Sequence, residues 1–395
     1  MMTITMKTIT DNTNNTTEDN TEIIYDNGSS FFDALIKDIN NAKHCILFET
    51  FIFANDHLGK RVTHALQLAA LRKVDVKILV DGYGSPFWAT QHASRLERSG
   101  AKTSIYHALP WQIWNLSRCA IKTPWLFKWI VLFGRMNLRN HRKTCVIDDS
   151  IAYVGSINIT KQHLMTSDQG RGWRDAAVRL THCDLSPLTN AFLAAFNHRS
   201  IKEKLIEAMR NIQQDPIFRL NYSRHRRREL YKQLLNKIRS AKKRIWITNA
   251  YFIPDHRLLK ALCAAASRGV DVRVLLPRKV AIFLPLPWAS SVFFETLLQS
   301  GVKIFEYTSS ILHAKSLILD NWVLIGSSNL NHRSLLHDLE VDVRLRNQRS
   351  KNIVKQLFLN DIMHSQQLSI SSWKAHRPWY QRLLGKLILY VKYYL

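Results

Sequence analysis

One pattern is written twice in this chain. His141-Arg142-Lys143, Asp148 and Gly155-Ser156-Ile157-Asn158 recur as His313-Ala314-Lys315, Asp320 and Gly326-Ser327-Ser328-Asn329. A lone His-x-Lys usually means two side chains on one face of a strand. Here six positions match twice, and both copies sit in apolar runs, Thr144-Cys145-Val146-Ile147 and Ser316-Leu317-Ile318-Leu319, that read as buried strands. In H-x-K-x4-D followed by G-S-x-N, each residue has a task if the substrate is a phosphodiester. An imidazole attacks phosphorus or moves a proton, an ammonium neutralises non-bridging oxygens, and a Ser hydroxyl and an Asn amide donate hydrogen bonds to them. One copy supplies half a constellation, so two copies facing each other would supply nucleophile, acid and a cationic cradle.

The repeat extends beyond the motif. Residues 45–82 read as strand, helix, then Val74-Asp75-Val76-Lys77-Ile78-Leu79-Val80; residues 245–277 read the same way, ending in Val270-Asp271-Val272-Arg273-Val274-Leu275-Leu276. Near-continuous apolar strands joined by helices argue for mixed or parallel sheets covered by helices, hence two α/β halves. Gly269 suits a left-handed cap on the second helix, whereas Lys73 stands at that place in the first. Five residues rather than six separate Asp320 from its Gly, so the second hairpin is expected to be tighter.

These residues match the HKD signature, and the chain resembles the phospholipase D superfamily. Trp173-Arg174-Asp175, Asn331-His332-Arg333-Ser334 with Glu340, Glu49, Asp81-Gly82-Tyr83-Gly84-Ser85 and Tyr251-Phe252-Ile253-Pro254-Asp255 look like bacterial cardiolipin synthases, closest to the shorter type without amino-terminal transmembrane helices. The resemblance spans roughly Ile46 to Leu384. It implies two pseudo-symmetric α/β/α halves with the active site at their interface, bringing His141 and His313 together. The expected organisation is a disordered polar tail over 1–28, a first half over 29–200, a second half over 201–372 and an amphipathic segment over 373–395.

Composition fits such a chain. With 395 residues, 46% of them hydrophobic, it can bury a core of two domains. Cys45, Cys119, Cys145, Cys183 and Cys263 are odd in number and suggest free thiols in a reducing compartment. No Cys/His cluster has zinc-ligand spacing, so neither metal nor other cofactor is expected. A net charge of +26 needs a polyanionic partner, which nucleic acid or anionic lipid would satisfy equally.

The apolar residues choose between them. Asp75 precedes His141 by 66 residues but Asp271 precedes His313 by 42, so the first half carries 24 more, at about 107–138. That insertion interleaves Trp111, Trp114, Trp125, Leu126, Phe127, Trp129, Ile130, Val131, Leu132 and Phe133 with Arg118, Lys122, Lys128, Arg135 and Arg139. Rings beside cations are the composition of an interfacial segment, although a helix packed on the protein's own core could share it. Residues 378–394 repeat the theme, and the apolar stretch Val280 to Phe294 is too short, and too broken by Pro285 and Pro287, to span a bilayer. Peripheral or monotopic attachment to the cytoplasmic face of a bacterial inner membrane follows as the expectation, with anionic phospholipids such as phosphatidylglycerol and cardiolipin as partners and no nucleic acid. Oligomeric state is not written in the sequence.

The candidate catalytic residues are therefore His141, Lys143 and Asp148 with His313, Lys315 and Asp320, supported at the phosphate by Ser156, Asn158, Ser327 and Asn329. Asp148 and Asp320 fall an odd number of residues after each Lys, which points them away from substrate and towards capping their hairpins. Asp175 follows Asn158 by 17 residues and Glu340 follows Asn329 by 11; the resemblance implies that they orient the histidine rings. It also implies phosphatidyl transfer through a phosphohistidine, with His141 as nucleophile, to phosphatidylglycerol rather than to water. A hydrolase making phosphatidic acid or an endonuclease of the superfamily would use the same residues.

Overall fold

The computed structural model describes residues 21–109, 111–112, 118–119, 138–197, 215–279, 285–376 and 379–390. Two mixed sheets carry the two motifs. In the first half β1 (Glu22–Tyr25), β2 (Cys45–Thr50), β3 (Asp75–Asp81), β4 (Lys102–Tyr106), β5 (Thr144–Ile147), β6 (Ile151–Gly155) and β7 (Ala177–Thr181) lie in the order β4-β3-β2-β5-β6-β7-β1. In the second, β8 (Phe218–Leu220), β9 (Arg244–Thr248), β10 (Asp271–Pro277), β11 (Lys303–Tyr307), β12 (Ser316–Leu319), β13 (Trp322–Gly326), β14 (Val341–Arg344) and β15 (Ser365–Gln367) lie in the order β15-β11-β10-β9-β12-β13-β14-β8. With β15 set aside the two orders coincide, three strands parallel and the rest antiparallel in each. The register coincides too, since Ile147 faces Ile46 and Leu319 faces Ile245.

Side-chain alternation decides which surface each sheet buries. Ile46 and Phe48 point to a core under the first half's helices, while Leu47 between them points the other way. Ile245 and Ile247 fill the matching core of the second half, and Trp246 points inward. Leu47, Val146, Val154 and Val178 then share one cluster with Trp246, Ile318, Ile325 and Val343. The halves are welded through a continuous apolar layer, each fully buried Leu or Ile contributing about 1.5–3 kcal/mol.

Local signals place the helices. Asp56 caps His57–Leu71 by accepting from Gly59 N–H at 3.0 Å, and Asp255 caps His256–Ser267 by accepting from Leu258 N–H at 2.8 Å. Lys73 adopts φ 71° and closes its helix as Gly269 does at φ 86°, with Val74 and Val270 N–H reaching back to Ala69 and Ala265. The left-handed cap is thus made without glycine, at a cost of about 1 kcal/mol. Three residues join β5 to β6 and two join β12 to β13, so the second hairpin is the tighter.

Two expected boundaries move. Glu22–Tyr25, placed in the polar tail, is an edge strand; its buried Glu22 carboxylate accepts from the N–H groups of Arg346 and Asn347 in the second half, and Ser350 donates to its carbonyl. Trp373, placed in the amphipathic segment, is buried in the second half's core. The five cysteines are free, with Cys119 and Cys145 buried.

Candidate active site

Backbone crossings bring the motifs to each other. Asn140 bridges Leu339, and Leu312 bridges Arg174. The His141 N–H donates to Leu339 O at 2.9 Å and the His313 N–H to Arg174 O at 2.8 Å. Leu339 and Arg174 immediately precede Glu340 and Asp175, so each histidine is delivered to the carboxylate of the opposite half. His141 Nδ1 lies 2.9 and 3.0 Å from the Glu340 oxygens, and His313 Nδ1 lies 2.8 Å from Asp175 Oδ1. The orienting role implied for the two carboxylates has its geometry, crossed between halves.

The serines serve these carboxylates rather than a phosphate. Ser156 Oγ donates to Asp175 Oδ1 at 2.8 Å while accepting from Ala176 N–H, and Ser327 Oγ donates to Glu340 Oε2 at 2.5 Å while accepting from Val341 N–H. A hydroxyl has one proton to give, so the expectation that Ser156 and Ser327 support non-bridging oxygens is corrected. Asn158 Oδ1 accepts from Ile52 N–H at 3.3 Å, leaving its NH2 group as the donor. Asn329 is buried like Asn158. His163 is a site residue the sequence reading missed: fully buried, its Nδ1 lies 2.5 Å from Asp175 Oδ2. No spacing rule singles it out, although it stands where the second repeat has Ser334, whose hydroxyl bonds Glu340.

Lys143 and Lys315 fold over their own motifs, donating to His141 O at 2.6 Å and His313 O at 2.5 Å. Burial drives Lys143 down to about 7, with Lys315 pushing the same way against the pull of Glu340. It drives Lys315 down to about 8. Burial, then the lysines, hold His141 well below the usual imidazole range; burial, then Lys315, bring His313 to about 3, with Asp175 pulling upward. Below about pH 7 the free enzyme therefore presents neutral imidazoles beside two cations, the setting for an anionic ligand. Glu340 is pushed up to about 7 by burial. Burial also opposes ionisation of Asp175, but His163 and His313 outweigh it and hold that carboxylate well below its usual range.

Asp148 and Asp320, grouped with the catalytic residues through the motif, lie outside this cluster. The Asp148 carboxylate accepts from the N–H groups of Lys43, His44 and Cys45, and that of Asp320 from Lys242, Lys243 and Arg244, each at 2.7–2.9 Å. Each pins its hairpin to the start of the neighbouring strand. Glu49 and Asp81 gain roles the sequence left open: Glu49 accepts from Asn140 Nδ2 at 2.6 Å and pairs with Arg142, while Asp81 accepts from Asn140 N–H at 2.9 Å. Together they clamp the residues flanking His141. The Phe51 ring lies 5.0 Å from that of His141 and 6.5 Å from that of exposed Tyr83. Among the described residues one set, His163, Asp175 and His313, has the spacing of a metal site, and its contacts are those of an imidazole–carboxylate–imidazole chain.

Most of the insertion, Trp114 and residues 120–137 included, lies outside the described residues. Trp111 is exposed. Arg118 forms a fork with Glu97 at 2.9 Å, and buried Arg139 stacks on Tyr83, so neither is a free head-group cation as expected. The helix Trp379–Ile388 packs on Pro285–Ser291, with Gly385 against the backbone of Trp288. Its Leu383, Leu384 and Leu387 remain 50%, 39% and 53% exposed. Among the described residues no helix is long and apolar enough to cross a membrane.

A family model described as "Cardiolipin synthase, PLD-like domain" matches residues 35–170 and 234–362. A cardiolipin synthase of Staphylococcus aureus is 30% identical over 374 residues, covering 92% of this chain and 71% of its own length. One from Halalkalibacterium halodurans is 32% identical over 376 residues, covering 92% and 70%. Among solved structures, phosphatidylserine synthase from Haemophilus influenzae Rd KW20 superposes with a TM-score of 0.65 at 16% identity, covering 93% of this chain and 92% of that one. Polyphosphate kinase from Porphyromonas gingivalis reaches 0.57 at 12% identity, covering 86% and 50%; both likenesses are of fold. The two matched segments each carry one of the motif histidines, His141 and His313, and the chain belongs to the cardiolipin synthase family of phospholipase D-like phosphatidyltransferases.

Proposed function

We propose that this enzyme transfers the phosphatidyl group of one phospholipid, phosphatidylglycerol, to the hydroxyl of a second phosphatidylglycerol, forming cardiolipin and releasing glycerol. The crossed pairs carry the reading. With both Nδ1 atoms tied to carboxylates, each imidazole keeps Nε2 for chemistry at phosphorus. His141 attacks, a phosphohistidine forms, and His313 protonates the departing alcohol; His313 then deprotonates the acceptor hydroxyl, and the P–N bond breaks. Lys143, Lys315, Asn158 and Asn329 hold the non-bridging oxygens as charge develops.

Attachment to the cytoplasmic face of the inner membrane, without a span, completes the proposal. Leu383, Leu384 and Leu387 stand exposed on a helix that also carries Lys386, in a chain of net charge +26, which suits an anionic bilayer surface. Two imidazoles and two ammonium groups supply the acid, base and positive charge that other phosphoryl-transfer enzymes take from metal ions. The test is purified protein on labelled phosphatidylglycerol vesicles, with and without EDTA. Cardiolipin in both is expected. Phosphatidic acid alone would make the enzyme a hydrolase, loss with EDTA restored by one divalent ion would remove the metal-free route, and DNA cleavage without liposome association would overturn the lipid reading.

A further inference from the structure

The two crossed pairs are not equivalent. Glu340 is held by His141 and by the hydroxyls of Ser327 and Ser334. Asp175 is held on Oδ1 by His313 and Ser156, but its Oδ2 is taken by a second imidazole, that of His163, at 2.5 Å. His163 follows Asn158 by five residues as Ser334 follows Asn329, the same place in the repeat with different chemistry. Its ring lies 5.5 Å from that of His313, with Trp173 packed against both. The Asn158 N–H donates to His163 Nε2 at 3.4 Å, so Nε2 is an acceptor and the ring proton sits on Nδ1, facing Asp175.

We infer that His163 is a positioning residue that makes the motif histidines unequal: by taking the second oxygen of Asp175 it dedicates a permanently ionised carboxylate to His313, which moves protons while His141 attacks phosphorus. This rests on the phosphatidyl-transfer reading above. A carboxylate accepting from two imidazoles and a hydroxyl stays charged, and a fixed negative charge behind Nδ1 favours the imidazolium once an anionic phosphodiester also faces the ring. A group that must hand a proton to a leaving alkoxide needs that state. His141 faces a carboxylate whose other partners are hydroxyls, and such a group can take up the Nδ1 proton as the P–N bond forms. In the first step the His141 Nε2 lone pair forms the P–N bond, the P–O bond to the leaving alcohol breaks, and the His313 Nε2 proton goes to that oxygen. In the second, neutral His313 takes the acceptor's hydroxyl proton, the new P–O bond forms, and the P–N electron pair returns to His141.

An aryl diester separates these duties, because nitrophenolate leaves without a proton. With bis(4-nitrophenyl) phosphate, His163→Ala and His163→Ser should keep the burst of nitrophenolate that reports attack by His141. Their steady-state rate, which needs His313 as base towards water, should fall on the order of ten- to a hundredfold, the range for losing an outer partner of a functional histidine. Phosphohistidine should accumulate on His141 in samples quenched with denaturant at alkaline pH, where the P–N bond survives. His163→Asn, which offers an NH2 near the Nδ1 position, should restore the steady state to within a few-fold and also guards against misfolding of the other variants. Burst and steady state falling together, neither changing, or the phosphoryl group trapped on His313 would overturn the inference. Vesicle turnover run in parallel keeps the two readings apart: a wild-type burst without any lipid product removes the lipid substrate and leaves the division of roles standing, whereas protein inert on both removes the division as well.

Discussion

Lysine is charged below its pKa, so a cradle of two buried lysines must fail as pH rises. Burial brings Lys143 from 10.5 to about 7 and Lys315 from 10.5 to about 8. If both must be cationic to bind the phosphodiester, the competent fraction falls from roughly one twentieth at pH 8 to roughly one thousandth at pH 9, about fiftyfold in kcat/KM, which reports the free enzyme. Above pH 8 the limit is two decades per pH unit. Glu340, pushed up to about 7, gains charge with rising pH and works in the opposite sense, but it is already ionised where this slope is read. Lys143→Arg keeps its charge throughout, so only Lys315 titrates and the same interval costs roughly fivefold, a limiting slope of one. The variant is slower in absolute terms, since a planar guanidinium cannot reproduce the 2.6 Å contact of the ammonium with His141 O. The assay is kcat/KM from pH 6 to 10 at constant ionic strength. A wild-type profile flat to pH 10, or equal slopes in the two proteins, would refute the reasoning.

Four further outcomes are expected. His141→Ala and His313→Ala should each nearly abolish turnover, with the double variant scarcely worse; half-activity in either single variant would mean two independent sites. Asp148→Ala and Asp320→Ala should each lower stability by about 1–3 kcal/mol in denaturant titration, because three N–H groups lose their acceptor, while kcat of the folded fraction holds; a selective loss of kcat would return them to the active site. Leu383→Ser with Leu387→Ser should weaken flotation with anionic liposomes and lipid turnover but spare hydrolysis of a soluble diester, and unchanged flotation would free this helix from membrane binding. Arg174→Ala removes a 2.8 Å ion pair to Asp361 in the other half beside the segment that carries Asp175, so kcat should fall without a matching rise in KM; an effect on KM alone would contradict a positioning role.

The architecture was legible because the repeat constrains it twice over. Val-Asp-Val strands, apolar motif strands and short turns at Asp148 and Asp320 each had a partner copy elsewhere in the chain, and the structure gives both copies the same strand order and register. Two short pieces escaped. Glu22–Tyr25 is four residues long and follows a polar run, so no periodicity announces it; its place comes from pairing with β7 and from Glu22 bonding the second half. Lys73 shows the limit of cap rules, since the helix end is held by Val74 N–H and the following strand whatever residue takes the positive φ.

The site was legible in its members but not in its wiring. Spacing after each motif put Asp175 and Glu340 in equivalent positions, and equivalence cannot say which histidine each one holds; only the crossing of Asn140 with Leu339 and of Leu312 with Arg174 decides that. The same blindness hid His163, because a repeat draws attention to what recurs, and His163 matters as the place where the copies differ. An orienting group on a histidine's own half would keep its geometry however the halves met. Crossing makes each imidazole's orientation depend on the shared apolar layer of Leu47, Val146, Trp246 and Ile325, so that packing far from phosphorus governs the chemistry there.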